Sequence, residues 1–162
     1  MGELLAALEA LDDMHLIFTM PNADTHGRVI VDMIKQFVVD NPKTRVYTSL
    51  GQLRYLSCLN YVDGVVGNSS SGLLEVPSFY KGTINIGDRQ RGRLKEKSVI
   101  DCIPEKESIA AALRKLYSEE FQLAFGTVKN PYGEGGASKK IVEILQDHSL
   151  DFTLKKPFYN LV

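Results

Sequence analysis

A doubly wound α/β domain with a parallel sheet is the fold class this sequence predicts, and three observations point to it. Short apolar runs of strand length recur along the 162 residues. Between them lie stretches whose apolar residues fall at helical spacing. The apolar runs end in polar, glycine- or asparagine-bearing turns, as strands do where a parallel sheet is covered by helices on both faces.

Taken in order, residues 3–11 (ELLAALEAL) carry helical spacing, and HLIFTMP at 15–21 is a buried strand stopped by a proline. In the next segment Asp24 or Thr25 can cap a helix whose stripe is Val29, Ile30, Met33, Ile34 and Phe37, ended by Asn41-Pro42. RVYTS reads as a strand and GQLRYLSCLNY as a helix. VDGVVGN, at 62–68, is a Val-rich strand, and SGLLEVPSF restarts a helix that Pro77 shortens or kinks. GTINIG and SVIDC are two further strands. Helical patterns follow at roughly 105–124 and 135–147, parted by the loop GTVKNPYGEGG, and Pro157 makes the tail extended. No repeat, low-complexity tract or linker interrupts this pattern, so one domain over residues 1–162 is expected.

Composition narrows the function. With 44% hydrophobic and 24% charged residues and a net charge of -1, the chain is an ordinary globular protein, without the basic face that nucleic-acid binding uses. Cys58 and Cys102 sit beside apolar residues, with no histidine or second cysteine at metal spacing, and read as buried thiols of a cytosolic protein. No signal-peptide pattern or membrane-length apolar run is seen, so a cytoplasmic location with no membrane partner is expected. Neither a metal nor an organic cofactor is expected.

In a doubly wound sheet, ligands bind beyond the carboxyl ends of the strands. Three such ends are rich in polar groups: Pro21-Asn22-Ala23-Asp24, Gly67-Asn68-Ser69-Ser70 and Gly87-Asp88-Arg89. Ser69 and Ser70 fall where a helix starts, so free N–H groups and hydroxyls there suit a phosphate. Serine is also a preferred helix cap, and that explanation stays open. Glu75, about a turn further on, is placed for ribose hydroxyls or is simply a solvated carboxylate. Arg89, Arg91 and Arg93 alternate, so an extended segment would point all three one way, as forks for a diphosphate or as an exposed charged loop. His15, His26 and His148 show no ligand spacing.

At PNADT, GNSSSGLLEVPSFYKGTINIGDRQRGR and NPYGEGGASKKIVEIL the sequence resembles the carboxyl-terminal domain of the UDP-N-acetylglucosamine 2-epimerase family, closest to its hydrolysing bacterial sialic-acid branch. The resemblance runs from about residue 14 to 147. It implies a Rossmann-like domain forming the C-terminal half of a two-domain GT-B-type fold, with the nucleotide sugar in the cleft between the halves. By position, it implies that Ser69 and Ser70 hold the diphosphate, Glu75 the ribose hydroxyls and Arg89 the phosphate or sugar. Asn22 would line the cleft and Leu50 would flank uracil.

The family reaction it implies is elimination of UDP with loss of the sugar C2 proton, after which water adds to give N-acetylmannosamine. The acid and base groups belong mainly to the first domain, so this chain is expected to grip UDP or UDP-N-acetylglucosamine, to need that N-terminal partner, and to be inactive alone. A homo-oligomer is expected of the full-length enzyme. A non-hydrolysing epimerase, a stand-alone UDP-sugar-binding module and a glycosyltransferase donor domain are the alternatives. The serine pair and the arginine segment favour the hydrolysing enzyme.

Overall fold

The computed structural model describes residues 1–11, 13–21, 27–124 and 129–148. Its elements run α1 (Gly2–Glu9), β1 (Leu16–Thr19), α2 (Gly27–Asp40), β2 (Thr44–Tyr47), α3 (Gly51–Leu59), β3 (Gly64–Gly67), α4 (Ser71–Leu74), β4 (Gly82–Ile86), β5 (Val99–Cys102), α5 (Lys106–Leu116), α6 (Glu119–Ala124) and α7 (Ala137–Asp147). The chain forms two compact units, Met1–Tyr132 and Gly133–Val162.

Every strand pairing in the first unit is parallel. β1 pairs with β2 in the register Leu16↔Thr44, β3 with β4 at Gly64↔Gly82, and β4 with β5 at Thr83↔Val99. The single sheet expected from sequence is divided into two hydrogen-bonded ladders, β1-β2 and β3-β4-β5. β3 is half-buried along its whole length, which suits a strand bonded on one side only, whereas β4 is bonded on both sides and buried from Gly82 to Asn85. Leu16 and Phe18 of β1 pack with Val66 of β3 against one core, so the two ladders share an interior.

That core is built around α5. Ile109, Ala112, Leu113 and Leu116 repeat at helical spacing, form one stripe and are all buried. Ile84 and Ile100 meet that stripe from the sheet, and Leu5, Ala7 and Leu8 of α1 complete the cluster. Glu3 fixes α1 in place by accepting the Lys106 N–H at 3.0 Å, which satisfies one of the free amides opening α5. In α2, Ile34 and Phe37 are buried, and Phe37 meets Phe18 edge-on with ring centres 5.8 Å apart. Val29, placed in that stripe by its spacing, is instead 63% exposed.

One helix boundary follows the sequence expectation and one departs from it. The helix after Ser70 lasts one turn before Pro77 converts it to a 3-10 turn, Val76–Phe79, which closes on Tyr80 with a left-handed φ of 54°. The long helix expected at 105–124 breaks at Ser118, whose N–H and hydroxyl both donate to the Lys115 carbonyl. The same serine then opens α6, its Oγ accepting the Phe121 N–H and its carbonyl the Gln122 N–H.

The second unit, described to residue 148, contains α7. It opens at Gly136, which with Gly133 and Gly135 has a positive φ, and a Lys139–Glu143 pair spaced four residues apart spans 3.9 Å. Its apolar residues Ile141, Val142, Ile144 and Leu145 are exposed. Among the described residues no helix is long and apolar enough to cross a membrane, and no cluster of three metal-ligating side chains occurs.

Candidate functional site

β3 delivers the serine turn. Gly67 ends the strand, Asn68 and Ser69 follow, and Ser70 stands at the cap position of α4. The three hydroxyls have different fates. Ser71 Oγ is hydrogen-bonded to the Tyr55 hydroxyl of α3. Among the described residues Ser69 Oγ receives only a long bond from the Ser71 N–H, at 3.4 Å. Ser70 makes no side-chain cap bond, and the backbone N–H groups of Ser69 and Ser70 have no partner among the described residues. Capping therefore does not account for Ser70, and for Ser69 it accounts for one long bond. Because α4 is a single turn its macrodipole is small, and the capacity to hold an anion rests on these local donors.

β4 delivers the arginine turn. Arg89, Arg91 and Arg93 do not lie in an extended segment: the Arg91 N–H donates to the Asp88 carbonyl at 2.8 Å and the Arg93 N–H to the Gln90 carbonyl at 3.3 Å. Gly87 and Gly92, both at φ of 79°, flank this turn, so the alternation does not set a common direction. All three arginines are exposed, and among the described residues none makes an ion pair or a side-chain hydrogen bond.

Gln90, which the pattern did not single out as a site residue, joins the two turns. It is 3% exposed, and its Nε2 donates to the Asn68 carbonyl at 2.8 Å. Arg89 is thereby held next to a residue bonded to the turn that carries Ser69 and Ser70. Gln90 Oε1 is buried without a partner among the described residues. No local periodicity reveals this tie, because it spans 22 positions.

Glu75 follows α4 directly, half-buried, with its N–H on the Ser71 carbonyl and no side-chain bond among the described residues. It sits near Tyr55, whose phenol is pushed above the usual tyrosine range by burial; the Ser71 bond opposes that rise and the Glu75 charge adds to it. Leu50 caps the start of α3 after β2, half-buried, and Tyr55, five residues on in the same helix, is bonded to Ser71 of the serine turn. Asn22 lies outside the described residues.

A polar cluster stands at the ends of β4 and β5. Burial alone would raise the Asp101 carboxyl, but hydrogen bonds from Lys95 at 2.7 Å and Asn85 at 2.7 Å, with the Lys95 charge, outweigh it and hold the group below the ordinary carboxylate range. Cys102, half-buried and not fully buried as expected, has its thiol pushed up by burial and by the Asp101 charge, which keeps it protonated and a poor nucleophile.

The parallel ladders, their covering helices and the polar turns beyond the strand ends define an α/β protein of the doubly wound, Rossmann-like class. The family model described as UDP-N-acetylglucosamine 2-epimerase matches residues 1–146, and the chain belongs to that family. Over 146 residues it is 40% identical to the polysialic acid biosynthesis protein P7 of Escherichia coli, covering 90% of this chain and 37% of that protein. It is 39% identical over 160 residues to the GDP/UDP-N,N'-diacetylbacillosamine 2-epimerase (hydrolyzing) of Campylobacter jejuni subsp. jejuni serotype O:2, covering 98% of this chain and 41% of that one. The chain thus spans about two fifths of the length of these relatives. The S. aureus MnaA-UDP co-structure shares the fold, with a TM-score of 0.73 at 18% identity over 89% of this chain and 39% of that chain.

Proposed function

We propose that this chain is the UDP-gripping part of a hydrolysing 2-epimerase that converts UDP-N-acetylglucosamine, or a closely related UDP-sugar, to the free 2-epimer and UDP. The observation that carries this reading is the serine turn with donors unspent among the described residues, tied through Gln90 to a turn of three arginines that pair with no described residue. Relatives named as hydrolysing diacetylbacillosamine 2-epimerases, at 39% and 31% identity, support the hydrolysing outcome over the non-hydrolysing one.

Elimination of UDP builds negative charge on the departing diphosphate, and pre-aligned donors lower the barrier by stabilising that charge. Ser69 and Ser70 supply hydroxyl and amide donors for it, and Arg89 supplies positive charge beside them. Glu75 accepts hydrogen bonds from the ribose hydroxyls, Leu50 gives an apolar contact for the uracil, and Asn22 lines the cleft. Removal of the C2 proton is assigned to residues outside this chain, so turnover by the chain alone is not expected.

Calorimetric titration with UDP tests the reading. Ser69→Ala with Ser70→Ala removes hydroxyl donors to charged oxygens, each worth about 1.5 to 3 kcal/mol, so the double variant is expected to bind at least about a hundredfold more weakly. Unchanged affinity would refute the phosphate role.

A further inference from the structure

The segment Asn130-Pro131-Tyr132 has no part in the reading above, yet its polar side-chain atoms are spent on the backbone that forms the site. Asn130 Nδ2 donates to the Leu74 carbonyl and to Ser78 Oγ, each at 2.7 Å, while Oδ1 accepts the Tyr132 N–H at 2.9 Å. Leu74 and Ser78 bracket Glu75, and the Ser78 N–H in turn donates to the Glu75 carbonyl at 3.0 Å. The Tyr132 hydroxyl donates to the carbonyl of Leu94, the residue after Arg93, at 3.1 Å. One short segment therefore holds both walls: the stretch carrying Glu75 and the exit of the arginine turn.

We propose that Asn130 and Tyr132 are positioning residues of the nucleotide-sugar site. Asn130 orients Glu75 toward the ribose, and Tyr132 holds the arginine turn against the diphosphate. The proposal rests on the functional reading given above. The residue types suit the task. A primary amide offers two N–H donors and an acceptor at once; aspartate has no donor, and glutamine carries the same group one methylene further out. The fixed φ of Pro131 favours the turn in which Asn130 closes on Tyr132. Tyr132 reaches Leu94 through its hydroxyl, so phenylalanine removes that one tie and keeps the ring.

The two ties act on different parts of the ligand, and this separates positioning from a general structural role. Asn130→Ala is expected to weaken UDP about tenfold, the equivalent of one hydrogen bond, and to leave inorganic pyrophosphate unchanged. Tyr132→Phe is expected to weaken UDP and pyrophosphate alike, by about three- to tenfold. Both variants should keep the parent's far-UV spectrum, since the bonds they remove are side-chain ties and not the backbone–backbone bonds of the helices and strands.

The 162-residue chain, both variants and the Ser69→Ala/Ser70→Ala variant are titrated with UDP and with pyrophosphate. The contrasting pattern supports the proposal. Equal losses of both ligands in Asn130→Ala, or parental affinities in both variants while the serine variant loses UDP, overturn this proposal and leave the functional reading standing. A parent chain that binds no UDP overturns both.

Discussion

Replacing Gly72 with alanine tests whether this glycine serves packing within the protein or close approach of a ligand, the use that its place in a phosphate-like turn suggests. A Cβ on Gly72 would lie 2.5 Å from Thr83 Cγ2 and 3.3 Å from its Oγ1, well inside van der Waals contact. Thr83 is 2% exposed, and its Oγ1 donates to the Gly72 carbonyl at 2.9 Å. Rotating the threonine out of the clash would break that bond and strand two buried polar groups, at about 1 to 3 kcal/mol. Pushing α4 away from β4 instead is overpacking, which costs about 1 to 3 kcal/mol. Alanine recovers at most about 1 kcal/mol of helix propensity, and less in a helix of one turn. A net loss of about 2 kcal/mol follows.

Urea unfolding followed by far-UV circular dichroism reads this as a lowered midpoint at constant slope. Thr83→Ser removes the clashing methyl and keeps the hydroxyl, at about 1 kcal/mol for the lost methyl. The double variant should then be about 1 to 2 kcal/mol more stable than the two single losses summed, a coupling expected only of residues in contact. A Gly72→Ala protein within about 0.5 kcal/mol of the parent would refute the packing argument, as would plain additivity in the double variant.

Two further outcomes are expected. Because the folded state holds the Asp101 carboxyl below its unfolded value, its contribution to stability is present above the ordinary carboxylate pKa and is lost as pH falls through the lowered one; Lys95→Met should flatten that part of the stability–pH curve, and an unaltered curve would count against the Lys95 tie. Glu75→Gln keeps the shape and removes the charge proposed to accept ribose hydroxyls, so it should weaken UDP more than pyrophosphate in paired calorimetric titrations, whereas equal losses would argue against a ribose contact.

Elements were legible in the sequence where one local signal decided them. The start of the helical pattern near residue 105, the strand GTINI and the helix-breaking Pro77 all read correctly, because periodicity and proline geometry act within a few residues. The break at Ser118 was hidden because the apolar stripe continues through Phe121, although serine followed by two glutamates is itself a helix-start signal. The alternating arginines misled for a related reason. Spacing by two implies a shared face only in a strand, and the glycines at 87 and 92 turn the chain instead. Turn chemistry and the resemblance single out Ser69, Ser70, Glu75 and Arg89 as candidates, while neither singles out Gln90, Tyr55, Asn130 or Tyr132. Those four act through partners 16 to 56 positions away, and a local pattern carries no information about such pairings.

The joints around the candidate site share a feature with a consequence for how the sequence can drift. In the ties from Gln90 to Asn68, Asn130 to Leu74, Tyr132 to Leu94 and Thr83 to Gly72, the side chain donates and a main-chain carbonyl accepts. Every residue type brings that carbonyl, so substitutions at 68, 74 and 94 leave the accepting half of each joint intact. The donors have no such freedom: only a few side chains place an N–H or O–H at the same reach. Mutational tolerance across the joints at 68, 74 and 94 is therefore one-sided, and there two positions touching each other would vary independently, leaving no covariation to betray the contact, whereas at Gly72 the clash with Thr83 couples the pair.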